Sequence, residues 1–268
     1  MPEAGRFAFG ENWKAYLELV GEDRVAAAVK SLQDMLGPGA LEGRTFADIG
    51  CGSGLFSLAA LKLGASRVVS FDYDLESVEA ARGMKERFFL SAGNWSIEQG
   101  SILDAGFVSG LGRFDCVYSW GVLHHTGDMW RAVKAAAGMV KPGGFLFIAL
   151  YNRQGALTAF WKAVKVFYNR LPRPLRPLYA SVFFLRFWLP ASVRDLLRGR
   201  PFATLRSYRG RRGMSAWHDV VDWVGGLPFE AASVEDVRSF CTGLGFHEVR
   251  VRREGGHGCN EFVFRRES

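Results

Sequence analysis

The sequence predicts a doubly wound α/β fold with seven strands, mostly parallel with an antiparallel last strand, and a helical lid inserted after the fifth strand. Short apolar runs alternate with helical segments of about 10 to 15 residues, as expected for a parallel sheet covered by helices on both faces. This alternation stops after residue 151 and resumes near residue 231. The 268 residues suffice for one such domain with an elaboration.

Each element has its own pattern. Residues 13–36 predict one or two helices, because apolar side chains recur at helical spacing. The core strands that follow are TFADIG, RVVSFD, WSIEQGS, FDCVYSW and FLFIALY. The intervening helices are LFSLAALKLG, LESVEAARGMKERF and DMWRAVKAAAGMV, the last one stopped by Lys-Pro-Gly-Gly. A helix capped by Ser233 and Asp236 and the strands HEVRVRR and CNEFVFRR complete the chain.

The segment DIGCGSG, residues 48–54, places an acid and three glycines directly after a predicted strand. A glycine turn between strand and helix lets a ligand approach backbone N–H groups closely. The dinucleotide fingerprint G-x-G-x-x-G would need glycine where Leu55 stands, which disfavours NAD. Asp48 suits an ammonium group, and Asp72, at the end of the next strand, suits ribose hydroxyls. Ammonium, ribose and close backbone contact together describe S-adenosylmethionine (SAM).

Five segments resemble class I SAM-dependent methyltransferases in order and spacing, above all the branch with the ubiquinone- and menaquinone-type methylases. They are FADIGCGSG, VVSFDYD, EQGSILD, FDCVYSWGVLHH and VKPGGFLFIALYN. The resemblance covers residues 44–152 and, in topology, the last 35 residues. It implies a Rossmann-like fold and methyl transfer from SAM, with S-adenosylhomocysteine as the product.

The resemblance also implies roles for single residues. Asp48 is expected to hold the methionine amine, Asp72 the ribose, the Ser101 segment the adenine, and the Ser119 segment the methionine end. Ser101 stands where the family often has Asp, so adenine recognition there would rest more on the backbone. The expected cofactor-binding residues are Asp48, Gly50, Cys51, Gly52, Gly54, Asp72, Tyr73, Ser101, Ile102, Ser119 and Trp120.

We therefore expect four parts in the chain. These are a helical N-terminal cap (1–43), a SAM-binding Rossmann-like core (44–152), a basic aromatic lid or substrate insertion (153–230), and a C-terminal helix with two strands that completes the core (231–268).

Four side chains are candidates for the acceptor pocket: His125, Tyr151, His218 and Asp219. His125 follows a central strand at its carboxyl end, where such sheets bind ligands, and a packing role and a general-base role both stay open. Adjacent histidines point in different directions and no third ligand is evident, so we expect no metal. The segment around His218 is either an amphipathic helix returning the insertion to the core or a substrate-facing surface.

Charge is concentrated in one segment. The formal net charge is +7, yet residues 151–213 hold fourteen Lys or Arg and one acid, Asp195, so they carry +13 and the rest carries −6. Three interpretations stay open: a lid alone, a lid with peripheral membrane contact or a lipid-like acceptor, and nucleic-acid binding. The last is disfavoured because no RNA-binding module is visible.

The cysteines show no CxxC pair, and no signal peptide is visible, which together predict a cytoplasmic protein. The apolar stretch 178–191 is interrupted by Arg186 and Pro190 and is too short to span a bilayer. The sequence thus predicts methyl transfer to an oxygen, nitrogen or carbon nucleophile of a small-molecule or lipid-linked acceptor. The alternatives are an NAD-dependent oxidoreductase and a SAM-binding protein without turnover.

Overall fold

A twisted sheet of seven strands, in the order β3-β2-β1-β4-β5-β7-β6, organises the described residues. The structure is a computed structural model that describes residues 21–88, 93–206, 216–254 and 258–268, without the side chains of His218, Asp219 and Asp222. The strands are β1 (Thr45–Ile49), β2 (Arg67–Asp72), β3 (Trp95–Gln99), β4 (Phe114–Trp120), β5 (Val140–Tyr151), β6 (Phe246–Arg252) and β7 (Cys259–Arg266).

The strand order confirms the predicted fold class. Strands β1 to β5 pair in parallel, whereas β7 runs antiparallel to both β5 and β6. Strand β1 lies between β2 and β4, so the direction in which strands are added reverses there. Ligands of such sheets bind at this switch point, outside the carboxyl ends of the strands. We call the carboxyl ends of β1, β2 and β4 the carboxyl edge.

Helices connect the strands. They are α1 (Glu22–Leu36), α2 (Leu55–Lys62), α3 (Leu75–Phe88), α4 (Ala105–Leu111), α5 (Met129–Gly138), α6 (Ala156–Arg170), α7 (Arg176–Leu197), α8 (Ala216–Gly225) and α9 (Val234–Gly243). Residues 13–20 of the first predicted helix lie outside the described residues. The predicted capping pair at α9 is confirmed, since Ser233 and Asp236 exchange side-chain-to-backbone hydrogen bonds.

The sheet is buried on both faces, as expected where helices cover a parallel sheet. Neighbouring residues of one strand join different apolar clusters: Phe46 packs with Leu58 and Trp95, whereas Ala47 packs with Val133. This alternation follows from the two-residue period of a strand. The core therefore consists of two apolar layers with the sheet between them.

The helical insertion (residues 153–230), which holds α6, α7 and α8, has an apolar cluster of its own. Its buried members are Trp161, Val164, Tyr168, Ala180, Val220, Val224 and Phe229. Among the described residues, none of these belongs to either layer of the core. Tyr151, at the end of β5, packs against this cluster and joins the insertion to the sheet.

Two local predictions need correction. Strand β5 begins at Val140 and runs through Pro142 to Gly144, because Val140 already pairs with Phe114. Helix α4 was missed, since its two glycines hide a helix whose first turn is capped by Asp104. Arg186 and Pro190, which interrupt the apolar stretch 178–191, both lie inside α7. Within the described ranges, no helix has the length and apolarity needed to cross a membrane.

Candidate cofactor and acceptor site

The turn that follows β1 needs glycine for conformation and for space. Gly50, Gly52 and Gly54 have φ of 69°, 52° and 76°, a left-handed backbone that favours glycine. A Cβ on Gly50 would collide with the side chain of Val122, and a Cβ on Gly54 would lie 3.0 Å from the Trp95 ring. The turn therefore closes tightly against β3 and against the segment that follows β4.

Asp72 joins this turn to the end of β2. The Gly52 amide donates to Asp72 Oδ2 at 3.0 Å, and the Asp74 amide donates to Oδ1 at 3.0 Å. Each carboxylate oxygen can accept a second hydrogen bond, because it carries two lone pairs. Two backbone amides thus fix the predicted ribose-binding acid beside the glycine turn.

Asp48 lies beneath the turn at the end of a buried relay. Trp95 Nε1 donates to Ser70 Oγ at 2.8 Å, Ser70 Oγ lies 2.6 Å from Ser57 Oγ, and Ser57 Oγ donates to Asp48 Oδ2 at 2.5 Å. The indole N–H can only donate, so the hydrogen bonds run from Trp95 through the two serines to Asp48. The relay orients this carboxyl group as an acceptor although its residue is 2% exposed.

Burial raises the pKa of Asp48 to about 7; the Ser57 hydrogen bond opposes the rise and the charge of Asp72 adds to it. A cationic ligand near Asp48 would favour the ionised form and lower this pKa. Two neighbouring acids beside backbone N–H groups suit a ligand that is cationic and carries a ribose. They suit a pyrophosphate poorly, because its charge would be repelled.

The other residues expected around the methionine end differ in what they contact. Burial raises the pKa of the Cys51 thiol well above its usual value, so the thiol stays protonated. Ser119 Oγ donates to the Ile49 carbonyl at 3.0 Å and ties β4 to β1. Trp120 is 43% exposed, and its Nε1 donates to Glu261 on β7 at 2.9 Å. Ser119 thus lies at the turn, whereas the indole N–H of Trp120 is turned toward β7.

The expected adenine side is built mainly from backbone. The Gly100 amide donates to the Asp72 carbonyl at 2.9 Å, which brings the next residues beside β2. Ser101 Oγ accepts from the Leu103 amide at 3.2 Å, and the Ile102 side chain is buried in the core. Tyr73, next to Asp72, is 38% exposed. Among these residues, Tyr73 thus offers the exposed side chain.

The histidine pair lies in a short 3₁₀ turn, Leu123–His125, directly after β4. His125 Nδ1 lies 2.6 Å from the Pro228 carbonyl, and its ring meets the Tyr151 ring edge-on at 5.4 Å. A carbonyl oxygen can only accept, so Nδ1 carries the proton and Nε2 is the basic nitrogen in neutral His125. The pair Tyr151 and His125, predicted for the acceptor pocket, is therefore brought into contact.

Sequence reasoning missed His124, the other member of the pair. Its side chain is fully buried, and its ring centroid lies 4.0 Å from that of Tyr151. Neither ring nitrogen has a hydrogen-bond partner within the described part of the chain. Burial, together with His125 and Lys165, lowers the pKa of His124 well below its usual value, so its imidazole is neutral.

Lys165 on α6 was missed as well. It is fully buried, donates to the Trp223 carbonyl, and its ammonium lies 4.3 Å from the Trp223 ring centroid and 5.0 Å from that of Phe229. The spacing of Trp161, Lys165 and Tyr168 (i, i+4, i+7) was the available signal, because it puts the lysine on the buried face of its helix.

The remaining candidates stay predictions. His218 and Asp219 belong to α8, but their side chains lie outside the described residues. Across the described ranges, no group of three or more His, Cys, Asp or Glu side chains is placed to hold a metal ion.

A family model matches the part of the chain that forms this edge. Residues 47–148 match the family model described as a methyltransferase domain. The ubiquinone biosynthesis O-methyltransferase of Brucella ovis is 34% identical over 121 residues, which are 45% of this chain and 46% of that protein. The protein of that name from Caulobacter vibrioides is 29% identical over 60% of each chain. The chain thus matches about half the length of the Brucella relative.

Solved structures resemble more of the chain. The magnesium protoporphyrin IX methyltransferase of Synechocystis PCC 6803 has a TM-score of 0.54 and 17% identity, covering 98% of this chain and 90% of that one. A SAM-dependent methyltransferase from Mesorhizobium loti has a TM-score of 0.53 and 16% identity, covering 88% and 96%. At these identities the likeness concerns the fold. Residues 47–148 thus match a methyltransferase domain, and the fold of the chain resembles that of SAM-dependent methyltransferases.

Proposed function

We propose that this chain transfers a methyl group from SAM to a nucleophile of a small-molecule acceptor. The observation that carries the proposal is the arrangement of Asp48, the glycine turn and Asp72 at the carboxyl edge. When bound, SAM supplies a methyl group that is already electrophilic on its sulfonium. The work left to the chain is to bind the cofactor, align the acceptor and exclude water.

In this proposal the cofactor is held by three features of the edge. The Asp48 carboxylate attracts the methionine ammonium, and the relay behind it keeps the carboxylate in one orientation. The glycine turn allows close approach of the cofactor, and Asp72 accepts from the ribose hydroxyls. The backbone of Ser101 and Ile102 and the ring of Tyr73 border the adenine.

The acceptor side of the proposal is built around Tyr151 and His125. Where the nucleophile must lose a proton, His125 Nε2 is our candidate base, because the Pro228 carbonyl fixes the proton on Nδ1. His125→Asn keeps a donor near the Pro228 carbonyl and removes the base. A lower kcat with unchanged SAM affinity, and loss of the acidic limb of the pH profile, would support this role.

The helical insertion acts in this proposal as a lid over the acceptor. It follows β5, which runs parallel to β4 and ends on the same side of the sheet, and its aromatic cluster reaches Tyr151. We propose that the chain has four parts: residues 1–43, 44–152, 153–230 and 231–268. The aromatic lining supports an apolar or lipid-linked acceptor, and the relatives named for ubiquinone O-methylation support an oxygen nucleophile.

A cytoplasmic location is also proposed. Burial raises the pKa of Cys241 to about 12 and that of Cys51 well above its usual value, so these thiols stay protonated and unreactive. Buried reduced thiols fit a reducing compartment.

The experiment that tests methyl transfer uses the full chain with methyl-labelled SAM and a cell extract as the source of acceptors. We expect S-adenosylhomocysteine to form together with a labelled small molecule that mass spectrometry identifies. Asp72→Asn is the negative control. SAM binding without product in any extract would leave a binding protein and overturn the enzymatic proposal. Binding of NAD in place of SAM would overturn the cofactor assignment.

A further inference from the structure

The outward face of α7 carries a continuous apolar stripe. Its members follow the spacing i, i+4, i+7, i+11, i+15 and i+18, which places them on one side of the helix. Their exposed fractions range from 47% at Val193 to 68% at Leu178. The stripe consists of Leu178, Val182, Leu185, Leu189, Val193 and Leu196. Isolated exposed leucines are ordinary, whereas a row of six along a helix of 22 residues marks an interaction surface.

This stripe is not the surface that attaches α7 to the rest of the chain. Ala180 is fully buried, and Phe183 and Phe187 pack with Trp161 in the cluster of the insertion. The helix is therefore anchored through its other side. Its apolar stripe remains exposed after the contacts within the described chain are made.

The segment that carries the stripe is strongly basic. Between residues 151 and 206 the chain has eleven Lys or Arg and a single acid, Asp195. Asp195 accepts hydrogen bonds from the Thr204 amide at 2.6 Å and hydroxyl at 2.8 Å. Arg186 and Arg194, which lie within α7, are exposed. The partner must therefore be anionic and must also accept aliphatic side chains.

Three partners can be compared against this chemistry. A nucleic acid would meet the arginines but leave the leucines in water. A second copy of the chain would bring an equally basic surface against this one. The surface of an anionic bilayer accommodates both kinds of side chain, since apolar side chains enter the acyl boundary and arginines contact the headgroups. Because α7 also holds three arginines and an acid, it suits a position in the interface plane.

We propose that the outward face of α7 docks the protein on anionic phospholipid bilayers. This proposal stands on α7 alone and does not depend on methyl transfer. It adds a function for the insertion: one side of α7 packs on the apolar cluster of the insertion, and the other side contacts the membrane.

Flotation of the full-length protein with phosphatidylcholine vesicles, with or without phosphatidylglycerol, tests the proposal. We expect binding that requires phosphatidylglycerol and weakens at least about tenfold in high salt. Leu185→Gln with Leu189→Gln should lower binding at least about tenfold, because both side chains leave the acyl boundary. Arg186→Gln with Arg194→Gln should remove the preference for phosphatidylglycerol.

The matched control is Leu75→Gln with Val249→Gln, two side chains that are about half exposed on the core. It should bind like the wild type, and circular dichroism should show all variants folded. Absence of flotation, equal binding to both vesicles, or an unchanged Leu185/Leu189 variant would overturn the proposal. So would light scattering that shows a dimer dissociated by that variant, because the stripe would then join two copies of the chain.

Discussion

The buried polar groups of the carboxyl edge and those of the helical insertion have different surroundings. At the edge, Asp48 accepts from Ser57 and Asp72 accepts from two backbone amides, so each carboxylate has defined partners. In the insertion and where it meets the sheet, Lys165 and His124 lie among aromatic rings, and His124 has no hydrogen-bond partner in the described structure.

This difference has a structural origin. The edge is assembled from the ends of neighbouring parallel strands and one tight turn, whose conformation the glycines fix. The insertion is held by an apolar cluster that is separate from both layers of the core and is joined to the sheet at Tyr151. We therefore expect the insertion to loosen without disturbing the edge, whereas small changes at the edge should abolish cofactor binding.

The largest expected effect separates the two regions by stability. Trp161→Ala removes a large buried ring from the cluster of the insertion, which should cost about 3–5 kcal/mol of local stability. Hydrogen exchange should rise in α6, α7 and α8, while SAM affinity stays within about threefold, because the edge keeps its contacts. Phe147→Ala, in the core, is the control that should destabilise both regions. A tenfold loss of SAM affinity in Trp161→Ala would show that the insertion supports the edge.

A second substitution acts at the edge alone. Gly50→Ala forces a side chain into a left-handed position against Val122, so SAM affinity should fall by at least about a hundredfold. Adding Val122→Ala should restore part of it, since the collision goes but the backbone strain stays. Gly37 has a positive φ like Gly50 but open space around it, so Gly37→Ala should leave SAM binding unchanged. Equal affinities in all variants would remove the turn from the cofactor site.

The pH dependence of SAM binding gives a smaller effect, up to about tenfold per pH unit. The pKa of Asp48 is raised to about 7. In the absence of SAM, the contribution of Asp48 to the stability of the fold is therefore present in acid and is lost as the pH rises toward 7. A ligand ammonium needs the carboxylate, so SAM affinity should fall as the pH drops below 7. The groups facing Asp48 are Ser57, Asp72, Cys51 and Tyr118.

Calorimetric titration at several pH values checks this. Asp48→Asn should bind SAM weakly and with a flat pH profile. Asp115→Asn is the control at the other end of the strands. Burial raises the pKa of Asp115, but hydrogen bonds from Lys141 and Thr45 lower it to about 2. Asp115 therefore does not titrate near pH 7, where SAM affinity is expected to change. A sloping profile in Asp48→Asn would assign the titration to another group.

The same contrast explains which features of the fold and the site could be predicted from the sequence. The fold and the positions of Asp48, Gly50 and Asp72 could be predicted, because they depend on strand periodicity and on a turn encoded within a few residues. The relay through Ser57, Ser70 and Trp95 could not, since three elements must pack before those side chains meet.

The contacts of the insertion were even harder to predict from the sequence. Among the described residues, His124 rather than His125 has ring nitrogens without a hydrogen-bond partner. Lys165 is buried beside the ring of Trp223, 58 positions away along the chain. Such contacts depend on tertiary packing, which no local pattern specifies. Only the unusual place of a lysine on an apolar helix face hints at its burial.

Calorimetric titration of Asp72→Asn with SAM tests whether Asp72 and the glycine turn form the SAM site. Loss of a charged acceptor should cost roughly 1.5–3 kcal/mol of binding free energy, or about 10- to 150-fold in affinity. The matched control, Asp74→Asn, changes an acid that caps the Glu76 amide, and should stay within about twofold of the wild type. We expect that SAM binds the wild type, that NAD does not, and that of these two variants only Asp72→Asn loses affinity for SAM. A folded Asp72→Asn that binds SAM as tightly as the wild type would contradict it.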